Sequence, residues 1–115
     1  MNLVDPSTNA IMVLSNLPDQ ASAEKLARHL VEQRLAACIN ILSPCVSIYH
    51  WQGKIESASE VPLMIKTTVG RYAEVEQAIR TLHPYELPEI VYVSLDGGLS
   101  AYFQWIASTT TDTLV

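Results

Sequence analysis

Charge is what this chain has least of. Asp, Glu, Lys and Arg make up 17% of its 115 residues while apolar residues reach 49%; an average soluble domain is about 25% charged. One domain of this length buries roughly 65% of its unfolded surface. Much surface must still be solvated, so a charge-poor chain points to a partner that covers part of it, and self-association is the simplest such cover. Basic residues are scarcer still, seven Lys and Arg against twelve Asp and Glu, for a net charge of -5. Nucleic-acid binding needs a basic patch to replace counterions, and these few are scattered, so it is excluded as a partner. No apolar run approaches the roughly 18 residues that span a membrane, which excludes that partner too.

The start of the chain lacks a basic segment followed by an apolar one, so it does not read as a signal peptide. Residues 1–10 read instead as a disordered tail, 11–107 as the folded domain and 108–115 as a second flexible tail. There are two cysteines and no CxxC spacing. Cys38 and Cys45 are an odd number of positions apart in what reads as one strand, which predicts opposite faces and no bridge. Reduced thiols fit a cytoplasmic protein.

Ile11 to Leu17 is apolar and partly β-branched, a first and central strand. Ala23, Leu26, Ala27, Leu30 and Val31 then recur at helical spacing, with Asp19 and Ser22 as candidate N-caps. Ala36 to Trp51 reads as a long strand interrupted at Ser43-Pro44. Gln52-Gly53 turns it back into a second long strand, Lys54 to Thr68. Centring the hairpin there sets Trp51 opposite Lys54 and brings Pro44 close to Pro62, where both strands are expected to bulge. The distal half of this ribbon carries apolar or aromatic groups on both faces, a surface that something must cover. A second helix follows with Tyr72, Val75, Ile79 and Leu82 on one face. Ile90 to Leu95 is a further strand, Asp96-Gly97-Gly98 a turn, and Ser100 the cap of a last helix burying Tyr102, Phe103 and Ile106. The order β-α-β-β-α-β plus a C-terminal helix predicts an α+β fold, a ferredoxin-like split β-α-β sandwich with an antiparallel sheet.

The densest chemistry lies in His83-Pro84-Tyr85-Glu86-Leu87-Pro88-Glu89. Proline fixes φ and biases its predecessor away from helix, so the second helix must stop here in a stiff, titratable turn. It reads either as an αβ loop with His83 at a helix C-terminus or as a binding turn in which His83 is the best candidate metal ligand, with Glu86 and Glu89 nearby. Lys66, in an otherwise apolar strand, reads either as a snorkelling surface lysine or as a cation lining a cleft. Lys66 with Glu86 also makes a candidate acid/base pair, but no nucleophile motif accompanies it.

Trp51-Gln52-Gly53-Lys54-Ile55-Glu56, Glu60 to Thr67, the His83 to Ile90 turn and Ala36-Ala37-Cys38-Ile39-Asn40-Ile41 resemble the CutA divalent-cation tolerance proteins, over about Ile11 to Ile106. The resemblance implies a cytoplasmic homotrimer, similar in architecture to PII signalling proteins, with no catalytic reaction and no obligatory cofactor. It implies an intersubunit cleft gathering Cys38, Trp51, Glu60, Lys66, Tyr85 and Glu86, and weakly held copper or another divalent cation at His83 and Glu86. Where some members carry a cysteine and a His-His pair proposed to hold copper, this chain has Ser15 and Leu82-His83. A PII-like transducer binding a small anionic ligand in the same cleft is the alternative.

Overall fold

The computed structural model describes residues 6–111. Strand β1 (Ala10–Leu17) leads into helix α1 (Gln20–Glu32), then β2 (Cys38–Ile41), β3 (Cys45–Trp51), β4 (Lys54–Thr68), α2 (Tyr72–Leu82), β5 (Val91–Ser94) and α3 (Ser100–Thr109). The strands pair antiparallel in the order β2-β4-β1-β5, with β3 pairing the distal part of β4. This is the predicted α+β order, with β1 inside the sheet as expected.

Alternation along β1 and β4 sets the layers. Ile11, Val13 and Leu17 of β1 and Val61, Leu63 and Ile65 of β4 face the helices and are buried. Against them pack Ala23, Leu26 and Leu30 of α1 and Val75 and Ile79 of α2, the apolar stripes that helical spacing dictates. Leu82, expected on the same stripe, is 38% exposed. Helix α1 starts at Asp19, whose Oδ1 accepts the Ser22 amide at 2.8 Å. It ends with Arg34 in the left-handed region (φ 58°), the Arg34 amide donating to Val31 and the Leu35 amide to Leu30, the pattern of a Schellman stop. Helix α3 packs Ile106 against Ala10 and Ala37. Its N-cap is Leu99 with no side-chain cap bond; Ser100, expected to cap, is already helical, and Tyr102 is exposed rather than buried.

Part of each proposed tail is ordered. Pro6–Thr8 forms a 3-10 turn, a Cβ on Gly70 would lie 2.9 Å from the carbonyl of Ser7, and Ala10 is buried. At the other end Thr110 is buried and its hydroxyl donates to the Ile106 carbonyl at 2.9 Å. The rest of each tail lies outside the described residues.

The hairpin register is as predicted at its tip, Trp51 opposite Lys54 and Cys45 opposite Glu60. Nearer the core, Ile41 is opposite Leu63 and Cys38 opposite Lys66. From Ile41 to Cys45 the chain advances four residues while β4 retreats three, so one extra residue bulges at Leu42–Pro44. Only this side bulges. Pro62 stays within β4 opposite Asn16, and its carbonyl accepts the Leu42 amide at 2.9 Å. The bulge also reverses the expected relation of the cysteines. By pairing, both lie on one face of β4, about 20 Å apart along the strand, and both are free thiols. Beyond the bulge β3 and β4 continue as a two-stranded ribbon that stretches the molecule to 54 × 27 × 23 Å. Its radius of gyration, 15.3 Å, exceeds the roughly 13 Å of a compact chain this long.

Candidate functional site

Pro84 ends α2 one residue early, and the consequence falls on His83. It is the C-cap, with extended backbone (φ -75°, ψ 135°) and its amide on the Ile79 carbonyl at 2.8 Å. That geometry turns the ring inward, where it is 7% exposed. Nδ1 accepts the Tyr85 amide at 3.1 Å, which fixes the proton on Nε2. Nε2 then donates to the Asn16 carbonyl at 2.6 Å. The ring expected to offer a ligand atom is a pin between α2 and β1 with both nitrogens engaged. A metal reaches it only by displacing one of these bonds.

The same turn aims Tyr85 at β4. Its hydroxyl donates to the Glu60 carboxylate, and burial first, then this bond and the Glu60 charge, push the phenol up to about 12. Glu60 is 8% exposed. The turn and the base of the ribbon enclose a cleft of about 670 Å³, lined by Trp51, Glu60, Tyr85 and Glu86 together with Tyr49 and Glu89. Asn16, also on the wall, donates from Nδ2 to Glu89 at 3.4 Å. Four of the six residues expected in one cleft are therefore brought together within a single chain.

Cys38 and Lys66 are not among them. They face each other across the β2–β4 ladder, six positions along β4 from Glu60, and neither lines the cleft. Lys66 instead reaches α3, its Nζ 5.8 Å from the centre of the Tyr102 ring, a cation–π contact. The candidate acid/base pairing of Lys66 with Glu86 is not made within the subunit. Ser15 is 1% exposed on the helix-facing side of β1, its hydroxyl without a hydrogen-bond partner. Among the described residues no three His, Cys, Asp or Glu side chains converge as a metal ion requires. Nor does any Lys or Arg of the described residues line the cleft, which weighs against an anionic ligand there.

Sequence reasoning missed Asn16 and, on β3, Ser47, Ile48, Tyr49 and His50, which also line the cleft. Tyr49 shares a ribbon face with Trp51, so alternation from Trp51 would have found it; Asn16 carries no local signal.

This architecture has close counterparts. The CutA1 divalent ion tolerance protein family matches residues 11–109. The chain belongs to the CutA1 family. The divalent-cation tolerance protein CutA of Pectobacterium atrosepticum is 38% identical over 101 residues, which is 88% of this chain and 92% of that protein. The crystal structure of CutA from Xylella fastidiosa superposes with a TM-score of 0.87 at 41% identity, covering 90% of this chain and 99% of that one. The periplasmic divalent cation tolerance protein CutA from Archaeoglobus fulgidus superposes at 0.86 with 34% identity, covering 89% and 99%. Within the CutA1 fold of this chain, no helix of the described residues is long and apolar enough to cross a membrane.

Proposed function

We propose that this chain acts in tolerance of divalent cations, copper among them, as a non-catalytic homotrimer that binds the ion weakly and without an obligatory cofactor. The observation that carries the reading is the CutA1 match across residues 11–109. The acidic lining of the cleft supports it, since carboxylates without a basic neighbour raise the local cation concentration. Copper(II) outcompetes other first-row divalent ions at most nitrogen and oxygen sites. We assign first contact to Glu86, with His83 joining once a ring nitrogen is released from Asn16 or Tyr85. That displacement costs hydrogen bonds, so affinity is low.

The trimer reading draws on surface chemistry. Val46, Ile48 and Ile55 form a stripe 72 to 73% exposed on one ribbon face, and Val91 and Val93 are about half exposed at the edge strand. Edge pairing between copies would satisfy the open backbone groups of β3 and β5. We place the protein in the cytoplasm on its free thiols. The test is calorimetry of the assembled protein with copper(II) chloride beside a copper-challenge growth assay of cells lacking the gene. Weak binding and copper-sensitive growth are expected; unchanged growth with the gene absent would overturn the reading.

A further inference from the structure

Tyr72 opens α2 and Tyr92 sits in β5, and their ring centres are 4.6 Å apart with the planes tilted by 52°. Tyr92 is paired with Val13 across the β1–β5 ladder, so it stands on the helix-facing side of the sheet, away from Val91 and Val93. Both rings belong to one subunit, and their contact needs no neighbouring copy. The spacing is at the short end of aromatic pairs, roughly 4.5–7 Å, and near that of two benzene rings joined by a single bond. The hydroxyls are close as well. After burial and the bond and charge of Glu76, the neighbouring Tyr92 helps hold the Tyr72 phenol up at about 12. Hydroxyls that close bring together the ring carbons ortho to them, the carbons at which phenoxyl radicals couple. Glu76 completes the set. Its Oε1 accepts the Tyr72 hydroxyl at 2.9 Å, a base in place to take the proton as an electron leaves. The other ring contacts among the described residues pair Tyr85 with His83 and Tyr102 with Trp105, neither of which offers a second phenol.

We propose that Tyr72 and Tyr92 form an oxidative modification site, joined by a carbon–carbon bond into an intrachain dityrosine by hydrogen peroxide activated by a redox metal ion in solution. Each phenol gives up one electron and one proton, and the two radicals couple ortho to ortho. The ring hydrogens at the joined carbons then move to the oxygens and restore both phenols. One molecule of peroxide takes the two electrons and two protons and leaves as two of water. The metal only divides the transfer into single-electron steps. This goes beyond ion binding and does not require it, since any one-electron oxidant that reaches the pair suffices. The bond fastens the start of α2 to β5, and between those two points lies the whole His83 to Glu89 turn. Closing that loop restricts the unfolded chain as a disulfide does. The turn carrying His83, Tyr85 and Glu86 is thus locked at both ends under the oxidising conditions that copper and peroxide create together.

Assembled protein treated with copper(II) chloride and hydrogen peroxide, then read by dityrosine fluorescence and peptide mass mapping, tests the site. The blue emission of dityrosine is expected, in a chain lighter by two hydrogens that still runs as a single chain on a denaturing gel. Mapping should find one cross-linked peptide pair, containing Tyr72 and Tyr92. Tyr92→Phe and Tyr72→Phe keep the ring packing and should each remove most of the emission. Glu76→Gln should slow its appearance severalfold without abolishing it. The cross-linked protein should melt about 5 °C or more above the untreated protein. Metal-free protein exposed to a photo-activated ruthenium complex with persulfate should gain the same bond, which separates this site from the copper-binding reading. The proposal is overturned by any of three results: no dityrosine in the parent with either oxidant, emission undiminished in Tyr92→Phe, or cross-links that join two chains in place of Tyr72 and Tyr92.

Discussion

The carbonyl of Asn16 and Nε2 of His83 are 67 residues apart in sequence and 2.6 Å apart in space. One imidazole thus ties the end of β1 to the turn after α2, and through Nδ1 it orients the Tyr85 amide. The cleft is built on that tie.

His83→Ala should therefore act first on stability. It takes the partner from the half-buried Asn16 carbonyl and Tyr85 amide and opens a cavity where the buried ring was, a loss of about 2–4 kcal/mol. Urea denaturation of parent and variant under identical conditions measures it. A variant with an unchanged midpoint would show that the ring is dispensable for the fold and is held for another purpose.

Ser15→Ala should do the reverse. The hydroxyl is desolvated with no partner, so removing it gains about 1 kcal/mol. The melting temperature should rise by a few degrees, and a fall would mean that the hydroxyl finds a partner in the assembled protein.

At the ribbon tip, Gln52 sits at φ 51° ahead of Gly53 at φ 79°, the two positive-φ positions of a type I′ turn. Asparagine tolerates that conformation better than glutamine does. Gln52→Asn should stabilise the chain by about 0.5 kcal/mol, readable as a shifted denaturation midpoint with unchanged slope.

Alkaline pH should unfold the protein through two of its five tyrosines. Tyr85 is pushed up to about 12 by burial and Glu60, and Tyr72 to about 12 by burial and its 2.9 Å bond to Glu76. A raised phenol holds its proton when folded and releases it near 10 when unfolded. Its contribution is thus fully present below pH 10 and is lost as pH rises through about 12. Each phenol loses on the order of 1–2 kcal/mol after allowance for solvent screening. Near-UV absorbance should resolve two late-titrating phenols, and the double variant Tyr72→Phe, Tyr85→Phe should show a flatter stability profile over this range.

Assembly should depend on the ribbon. Ile48 is 73% exposed, so Ile48→Lys should leave the subunit fold intact while shifting light scattering toward smaller species. Trp51→Ala should weaken assembly by a few kcal/mol, as for other interface aromatics. Wild-type protein scattering as a monomer at micromolar concentration would remove the basis for both expectations.

The strands and helices were legible because their apolar spacing is regular and their ends carry Pro, Asp or Gly. What escaped the sequence depends on events between elements. The bulge at Leu42–Pro44 adds one residue, and no composition marks which of two prolines causes it. Arg34 and Gln52 adopt left-handed backbone without being glycine, so nothing local announces them. Within the site, the Trp51, Glu60, Tyr85 and Glu86 grouping was implied by the family resemblance rather than by any local pattern. Lys66 does not join them within one subunit, since a strand face says which way a side chain points, not how far along the strand it lies, and Lys66 stands six positions along β4 from Glu60. His83 was recognised as important, but whether an imidazole is free or pinned is decided by Asn16, sixty-seven positions away.

The extra residue at Leu42–Pro44 has a further consequence, best put in terms of phase. Side chains on a strand alternate with period two, so an odd insertion swaps inside for outside. Here the alternation on β2 is locked to the core, and that on β3 is locked to the turn at Gln52-Gly53. The bulge lets the two clocks run independently, so the core and the ribbon can each evolve without disturbing the other. Removing one residue from this segment would put them back in step. Both registers would survive that deletion, Ile41 opposite Leu63 and Tyr49 opposite Glu56, so what would be lost is the local bend and extra twist of the bulge, and with them the angle at which the ribbon leaves the core.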